Sequence, residues 1–358
     1  MRRLGSIGRV GVLAPPWVPL PPPAYGGIEA VVALLCERLA ARGHDVKLVA
    51  APGSEVEGVD LETPLADLPD QIGLGGAELR HALAALDALG DCDVVLEHAG
   101  PVAAILASCH LNAPVLHVTH GPIEGEPVEV YRAMVPKTPA LRLIALSRAQ
   151  WDAAPDLPFV AVCPNGVDVD EVPFNDRPGD HLAFLGRMAP EKGAAEAIAI
   201  ARAAGRQLRI AAKCREPDER RYFERAVEPH LGDDVVWLGE LGVTDKLDLL
   251  AGAAALVFPI SWPEPFGMVM IEAMASGTPV LATPCGSVPE VVRDGVSGFV
   301  RADVDALAAC VARLDEIDRA ACRAHVAERF SADAMADAYE RVMVAALHDR
   351  RTVRTAGA

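Results

Sequence analysis

Apolar residues fall along this chain in short continuous runs, separated by longer stretches in which they recur every three or four positions. In the first half the runs at 10–14, 46–50, 93–96, 115–118, 143–146 and 159–163 read as buried strands. The stretches at 28–41, 78–89 and 102–109 read as amphipathic helices between them. Strand, helix and strand at the start make a βαβ unit, which predicts a parallel sheet. Two stretches interrupt the rhythm: residues 51–75 have little periodicity and read as a loop-rich insertion, and 122–139 reads as a loop with one short helix. Ser147 stands where a helix cap is wanted.

The sequence Pro164-Asn165-Gly166-Val167-Asp168, followed by a polar, Pro-rich stretch to Asp180, predicts a domain boundary. The alternation then restarts. Strands are expected near 182–186, 207–212, 235–238, 255–260, 279–283 and 298–301, and helices near 191–204, 218–231, 244–253, 267–276 and 288–293. From Asp303 the chain reads as helical to its end, with a break near Phe330-Ser331. The pattern predicts an N-terminal domain over 1–168, a linker over 169–180, a second domain over 181–330 and a C-terminal helix over 331–358.

Composition fits two α/β domains. The chain has 358 residues, 51% of them hydrophobic but only 4% aromatic, so its cores are built from Ala, Val and Leu, as parallel sheets under Ala-rich helices would be. A net charge of −17 argues against nucleic acid as a partner and disfavours attachment to anionic lipid. No apolar stretch is long enough to span a bilayer, and residues 1–10 lack the apolar core of a signal peptide. The eight Cys are scattered with no C-x-x-C pair, and most sit in apolar strand or helix contexts, which predicts buried free thiols there, a reducing cytoplasm and no zinc site.

Candidate chemistry concentrates in a few places. Residues 262–274, W-P-E-P-F-G-M-V-M-I-E-A-M, follow a buried strand and run through a Pro-rich turn into a helix. Glu264 falls in the turn and Glu272 about two helical turns on, at most about 12 Å away at helical rise. A core helix with one incidental Glu is the alternative. Arg187 and Lys192, in G-R-M-A-P-E-K-G, flank a helix start opened by Pro190, a place favourable to anions. They read as a diphosphate clamp, or as solvated cations paired with Glu191. His98 and His120 fall just past the ends of parallel strands, the edge where open α/β sheets bind ligands. Gly26-Gly27 opens a helix without G-x-G-x-x-G, and either admits a phosphate to backbone N–H groups or merely turns the chain.

Taken together and in this order, Tyr25-Gly26-Gly27, D-V-V-L-E-H ending at His98, P-N-G-V-D, G-R-M-A-P-E-K-G and E-P-F-G-M-V-M-I-E resemble the retaining glycosyltransferases of family 4, over essentially the whole chain. Y-G-G-I-E looks like a bacterial subgroup of that family. The resemblance implies the GT-B fold, two Rossmann-like domains facing a cleft, with a nucleoside-diphosphate sugar (UDP- or GDP-linked) held mainly by the second. It implies that Arg187 and Lys192 hold the diphosphate, that Glu272 binds the ribose hydroxyls and that Glu264 lies beside the donor sugar. The backbone of Phe266, Gly267, Met268 and Val269 would lie against sugar and phosphate. Gly26 and Gly27 would close over the diphosphate, and His98 would approach the reacting hexose. Tyr25 and His120 fall on the acceptor side.

The chain departs from the family pattern in three places. Pro21-Pro22-Pro23-Ala24 stands where an acidic residue is common, Leu96 replaces a His, and Ala211-Ala212-Lys213 replaces a strand usually followed by Gly, so that Lys213 adds a third cation near the phosphates. No candidate nucleophile is present, which suits a same-face reaction in which the leaving diphosphate helps deprotonate the acceptor. The expected activity is hexosyl transfer, without metal or cofactor, to a hydroxyl of a small-molecule or saccharide acceptor. The alternatives are a disaccharide phosphorylase of the same fold and a non-catalytic nucleotide-sugar binder. Nothing in the sequence speaks to oligomeric state.

Overall fold

A computed structural model of the chain describes residues 7–69, 72–138 and 141–356, with side chains to residue 349. Part of the N-terminal expectation, residues 1–6, lies outside them, as do Pro139 and residues 357–358. The described chain divides into two compact units, one comprising the residues up to Pro22, Gly26–Asn165 and those from Ala332 onward, the other Pro23–Tyr25 and Gly166–Ser331.

The first unit holds β1 (Arg9–Leu13), β2 (Asp45–Val49), β3 (Asp60–Glu62), β4 (Val94–Glu97), β5 (Val115–Val118), β6 (Arg142–Ala145) and β7 (Phe159–Val162). They form one parallel sheet in the order β3-β2-β1-β4-β5-β6-β7. Strands β4 and β5 are buried along their whole length, as a sheet covered on both faces requires. Helices Gly27–Ala41, Gly75–Ala88 and Pro101–His110 present Ala, Val and Leu to the core. Ser147 does cap a helix: its hydroxyl accepts from the Gln150 N–H at 3.2 Å. The terminal helix Ala332–Ala356 is tied to this unit by Arg42, whose guanidinium reaches Asp333, Asp337 and Glu340 at 2.7–3.0 Å.

The second unit holds β8 (Leu182–Arg187), β9 (Leu208–Lys213), β10 (Val235–Trp237), β11 (Ala255–Phe258), β12 (Val280–Ala282) and β13 (Gly298–Val300). Their order, β10-β9-β8-β11-β12-β13, repeats the doubly wound plan of the first sheet, again all parallel. In each sheet the strand order reverses beside the first strand, between β1 and β4 and between β8 and β11. Residues 169–180, expected as a linker, are bound to this unit. Arg323 donates to the carbonyls of Val169 and Val172, and Arg319 to that of Asn175.

Several local expectations need correction. β3 lies in the stretch expected as loop; it is a three-residue edge strand, Asp-Leu-Glu, too short and too polar to show a period. The short helix expected within 122–139 is present, as Glu126–Met134. The helix expected over 191–204 is divided. Pro190–Lys192 is a 3-10 turn, Gly193 is left-handed at φ 82°, and the α-helix is Ala194–Ala203. A Cβ on Gly193 would lie 2.3 Å from the carbonyl of Pro259, so the turn is pressed against the end of β11. The helix expected over 218–231 is Pro217–Ala226, followed by a 3-10 turn over Glu228–His230 that contains Pro229.

Candidate active site

The loops after β8 and β11 carry the charged residues of the second unit to the switch point of its sheet. Lys192 ends the 3-10 turn after β8, and Glu264 lies in the turn between β11 and helix Met268–Ala275. The Lys192 Nζ donates to Glu264 Oε2 at 2.6 Å, and the Trp262 indole N–H donates to the same oxygen at 3.0 Å. The ammonium also stands 4.1 Å from the centre of the Trp262 ring, within cation–π range. Both charged side chains are largely buried, at 12% and 10% exposed. Burial pushes the Lys192 ammonium below the usual lysine value, against the pull of Glu264.

The turn that presents Glu264 is fixed by glycines and by Ser287. Gly267, left-handed at φ 80°, caps the Met268–Ala275 helix, and a Cβ there would meet Met270 Cε at 2.6 Å. The Ser287 N–H donates to the Glu264 carbonyl at 2.9 Å and its hydroxyl to that of Phe266 at 2.8 Å. Gly286 lies still closer: a Cβ on it would stand 2.3 Å from the Glu264 oxygen. Phe266 is buried, whereas Gly267, Met268 and Val269 are half-buried at the start of their helix. That leaves a helix N-terminus, with its outward N–H groups, beside the Lys192–Glu264 pair.

Arg187 ends β8 and pairs with Glu191 at 3.2 Å, both partly exposed. Glu272, in the Met268–Ala275 helix, accepts from Lys246 Nζ at 2.6 Å, a partner supplied by helix Val243–Gly252. Lys213 is buried at the end of β9 with its charge engaged: Glu219 lies at 3.2 Å and Glu216 at 3.4 Å. The Tyr25 ring is centred 5.8 Å from the Lys213 nitrogen. The carboxylates around Lys213 also build the capping box of helix Pro217–Ala226, a role the sequence reading did not give them.

In the first unit, Gly26 precedes helix Gly27–Ala41 at the end of the loop that follows β1. A side chain at Gly26 would meet Pro22 Cβ at 2.6 Å and the buried Glu29 carboxyl at 3.1 Å. His98 and His120 follow β4 and β5, and their Nδ1 and Nε2 atoms are 2.9 Å apart. Burial, with a contribution from neighbouring rings, holds both below the ordinary histidine value, His120 at about 3. The pair is therefore neutral near pH 7, a hydrogen-bonding unit rather than a charged one.

Of the expected residues, Lys192 and Glu264 meet in the second unit and His98 and His120 in the first, whereas Arg187, Lys213 and Glu272 are engaged by Glu191, Glu219 and Lys246. Trp262, Lys246 and Ser287 escaped the sequence reading. Trp262 opens the W-P-E-P-F-G motif, and its signal there is that a buried Glu–Lys pair needs a cover. Lys246 and Ser287 lie on separate elements with no local signal. Among the described residues no group of three or more His, Cys, Asp or Glu is placed to hold a metal ion, and no helix is long and apolar enough to cross a membrane.

Two sequence models match the chain, one for each half: Glycosyltransferase Family 4 over residues 25–171 and Glycosyl transferases group 1 over residues 179–316. A D-inositol 3-phosphate glycosyltransferase of Streptomyces scabiei is 39% identical over 135 residues, which is 36% of this chain and 30% of the relative. The chain thus spans about a third of the length of the curated relatives it matches first. A phosphatidyl-myo-inositol mannosyltransferase of Mycolicibacterium smegmatis is 28% identical over 361 residues, 90% of this chain and 89% of the relative. The crystal structure of AviGT4, a glycosyltransferase involved in avilamycin A biosynthesis, superposes with a TM-score of 0.72 at 25% identity, covering 95% of this chain and 98% of the other. With one half matched by each of the two models and two doubly wound parallel sheets, the chain belongs with the family 4 glycosyltransferases of the GT-B fold.

Proposed function

We propose that this protein transfers a hexosyl group from a nucleoside-diphosphate sugar, UDP- or GDP-linked, to a hydroxyl of a small-molecule or saccharide acceptor, with retention of anomeric configuration and without a metal cofactor. The observation that carries this reading is the Lys192–Glu264 contact at the switch point of the second sheet, with Trp262 over the ammonium and the start of helix Met268–Ala275 alongside. A cation beside a helix N-terminus is an anion site, and Glu264 is a hydrogen-bond acceptor for sugar hydroxyls within reach of it.

In this reading Arg187, Lys192 and the N–H groups after Gly267 stabilise charge that grows on the leaving nucleoside diphosphate. On donor binding, Lys192 exchanges part of its bond with Glu264 for a phosphate oxygen, which frees Glu264 for the sugar. Glu272, already oriented by Lys246, takes the ribose hydroxyls. The leaving diphosphate accepts the acceptor proton on the same face as the broken bond. Eight free thiols suit a reducing cytoplasm, and the acidic surface suits a soluble acceptor. Relatives named for inositol phosphate and phosphatidylinositol acceptors put inositol compounds in the acceptor panel.

The test is a thermal-shift panel of UDP-, GDP-, ADP- and TDP-sugars, followed by donor hydrolysis and transfer on the hits, with the product anomer read by NMR. A UDP- or GDP-sugar should raise Tm and turn over with retention. Absence of any sugar-nucleotide stabilisation, or an inverted product, overturns the reading.

A further inference from the structure

Behind the two histidines of the first unit lies a run of buried polar side chains that the donor reading leaves unused. Glu97, the last residue of β4, is fully buried, where a carboxylate is expensive unless its lone pairs are taken up. Here they are. Oε1 accepts from the N–H groups of Ala99 at 2.5 Å and Gly100 at 3.0 Å, and Oε2 meets Nδ1 of His117. The register of β4 and β5 sets Glu97 directly opposite His117, so the pair is dictated by the sheet. The other ring nitrogen of His117 lies 2.7 Å from the Tyr131 hydroxyl, on helix Glu126–Met134.

We propose that Glu97, His117 and Tyr131 form a positioning chain that fixes the backbone of residues 98–100, and with it the His98 ring, to helix Glu126–Met134. Its link to catalysis rests on the reading of His98 as the donor-sugar histidine. His98 makes one side-chain hydrogen bond among the described residues, to His120, and its Nε2 is buried without a partner. With one hydrogen bond and the rings of His120 and Tyr339 packed against it, the His98 side chain takes the rest of its aim from its backbone. That backbone is clamped on one side by the His98 N–H donating to the Leu13 carbonyl at 2.8 Å, and on the other by Glu97. His120 is steadied separately by Gln150, whose Nε2 donates to the carbonyls of Thr119 and Gly121 at 2.7 Å each. Capping the Pro101–His110 helix would need only Oε1 of Glu97. The extension through His117 reaches a different helix, in the stretch between β5 and β6, and adds nothing to a cap.

Glu97→Ala, Glu97→Gln and Tyr131→Phe, each with and without His98→Ala, test this, with UDP-glucose and GDP-mannose as donor probes and NMR of the histidine rings and backbone amides. Glu97→Ala should lower turnover about tenfold or more with little change in donor KM, and Tyr131→Phe a few-fold, about the range for losing one oriented hydrogen bond. Glu97→Gln should restore most of the rate, because its amide oxygen still accepts from Ala99 and Gly100. In the His98→Ala background, Glu97→Ala should add less than about twofold, as residues acting through one group do. Independently of turnover, the His98 ring resonances should shift in Glu97→Ala and in Tyr131→Phe, and the Ala99 and Gly100 amides should exchange faster in Glu97→Ala. If His98→Ala turns over normally while those resonances move, the donor reading of His98 fails and the chain stands. If the resonances stay in place, the chain is overturned whatever turnover does. Should Glu97→Ala fail to fold, Tyr131→Phe, which removes one oxygen, carries the test.

Discussion

Lys192 and Glu264 are 72 residues apart in sequence, and their side chains meet at 2.6 Å. The contact bridges the loops after β8 and β11, the two strands between which the order of the second sheet reverses. Neither loop makes a site alone. One supplies a cation, the other a carboxylate that would be buried without a counter-charge. Because both are largely buried, their charges are weakly screened, and a phosphate arriving there would feel the ammonium strongly.

Lys192→Ala should slow transfer by about tenfold to a hundredfold, the equivalent of one charge-assisted hydrogen bond of about 1.5–3 kcal/mol. Arg187→Ala should act in the same direction. Their stabilities should differ. Removing Lys192 leaves Glu264 with Trp262 as its remaining hydrogen-bond donor, and should lower stability by about 1–3 kcal/mol. Arg187 is partly exposed in its pair with Glu191, so its loss should cost under about 1 kcal/mol. Steady-state rates and urea midpoints of both variants separate the two effects, and near-normal rates in either refute the clamp.

Glu272 has a different partner and should fail in a different way. Lys246 holds its carboxylate at 2.6 Å, on the face of the helix that the nucleoside is expected to use. Glu272→Ala should weaken nucleoside-diphosphate binding by about tenfold to a hundredfold. Lys246→Met, which removes only the orienting bond, should weaken it less. Calorimetry with UDP and GDP reads both, and unchanged affinity in Glu272→Ala would remove it from the ribose site.

Gly286 tests how tightly the Glu264 turn is built. Its φ is +57°, and a Cβ would sit 2.3 Å from the Glu264 carbonyl oxygen and 2.4 Å from its nitrogen, both backbone atoms that cannot swing away. Gly286→Ala therefore combines left-handed strain of about 1–2 kcal/mol with a forced shift of the turn. It should lower the unfolding midpoint and also reduce transfer, although residue 286 bears no side chain. A variant with wild-type stability and rate would show that the turn gives way freely.

The strands of both sheets were legible in sequence because buried parallel strands read as short apolar runs, and the runs at 115–118 and 159–163 coincide with β5 and β7 to within one residue. What failed to show had no period. The edge strand Asp60–Glu62 is short and half solvated, and the 3-10 turn at Pro190–Lys192 looks helical until Gly193 is seen pressed on the Pro259 carbonyl. Charges at the site were legible as single residues, and the local Arg187–Glu191 pair was one of the readings offered, but the pairs that cross between elements were not. Lys213 stood out as a cation at a strand end, yet Glu219, six positions on, already holds it at 3.2 Å. Which charges neutralise each other depends on side-chain reach across neighbouring elements, and one chain read in order carries no trace of that.

The histidine pair should leave its mark on acid stability. Burial, then the neighbouring His117, lowers His120 from 6.5 to about 3, and His98 moves in the same direction. As pH falls below 6.5 the unfolded chain takes up protons that the folded pair refuses, so the stabilising contribution is complete above that value and is lost progressively toward pH 3. Allowing for the part of His120 that meets solvent, the loss from this one ring between pH 7 and pH 5 should be about 1–2 kcal/mol. His120→Asn keeps a hydrogen-bonding side chain but no titrating ring. Its bond to His98 changes equally at both pH values, so the quantity to read is the difference between the two. Urea midpoints at pH 7 and pH 5 should fall less in the variant than in the wild type. An equal fall in both would mean that His120 stays as easy to protonate in the folded chain as in the unfolded one, and the neutral pair would have to be given up.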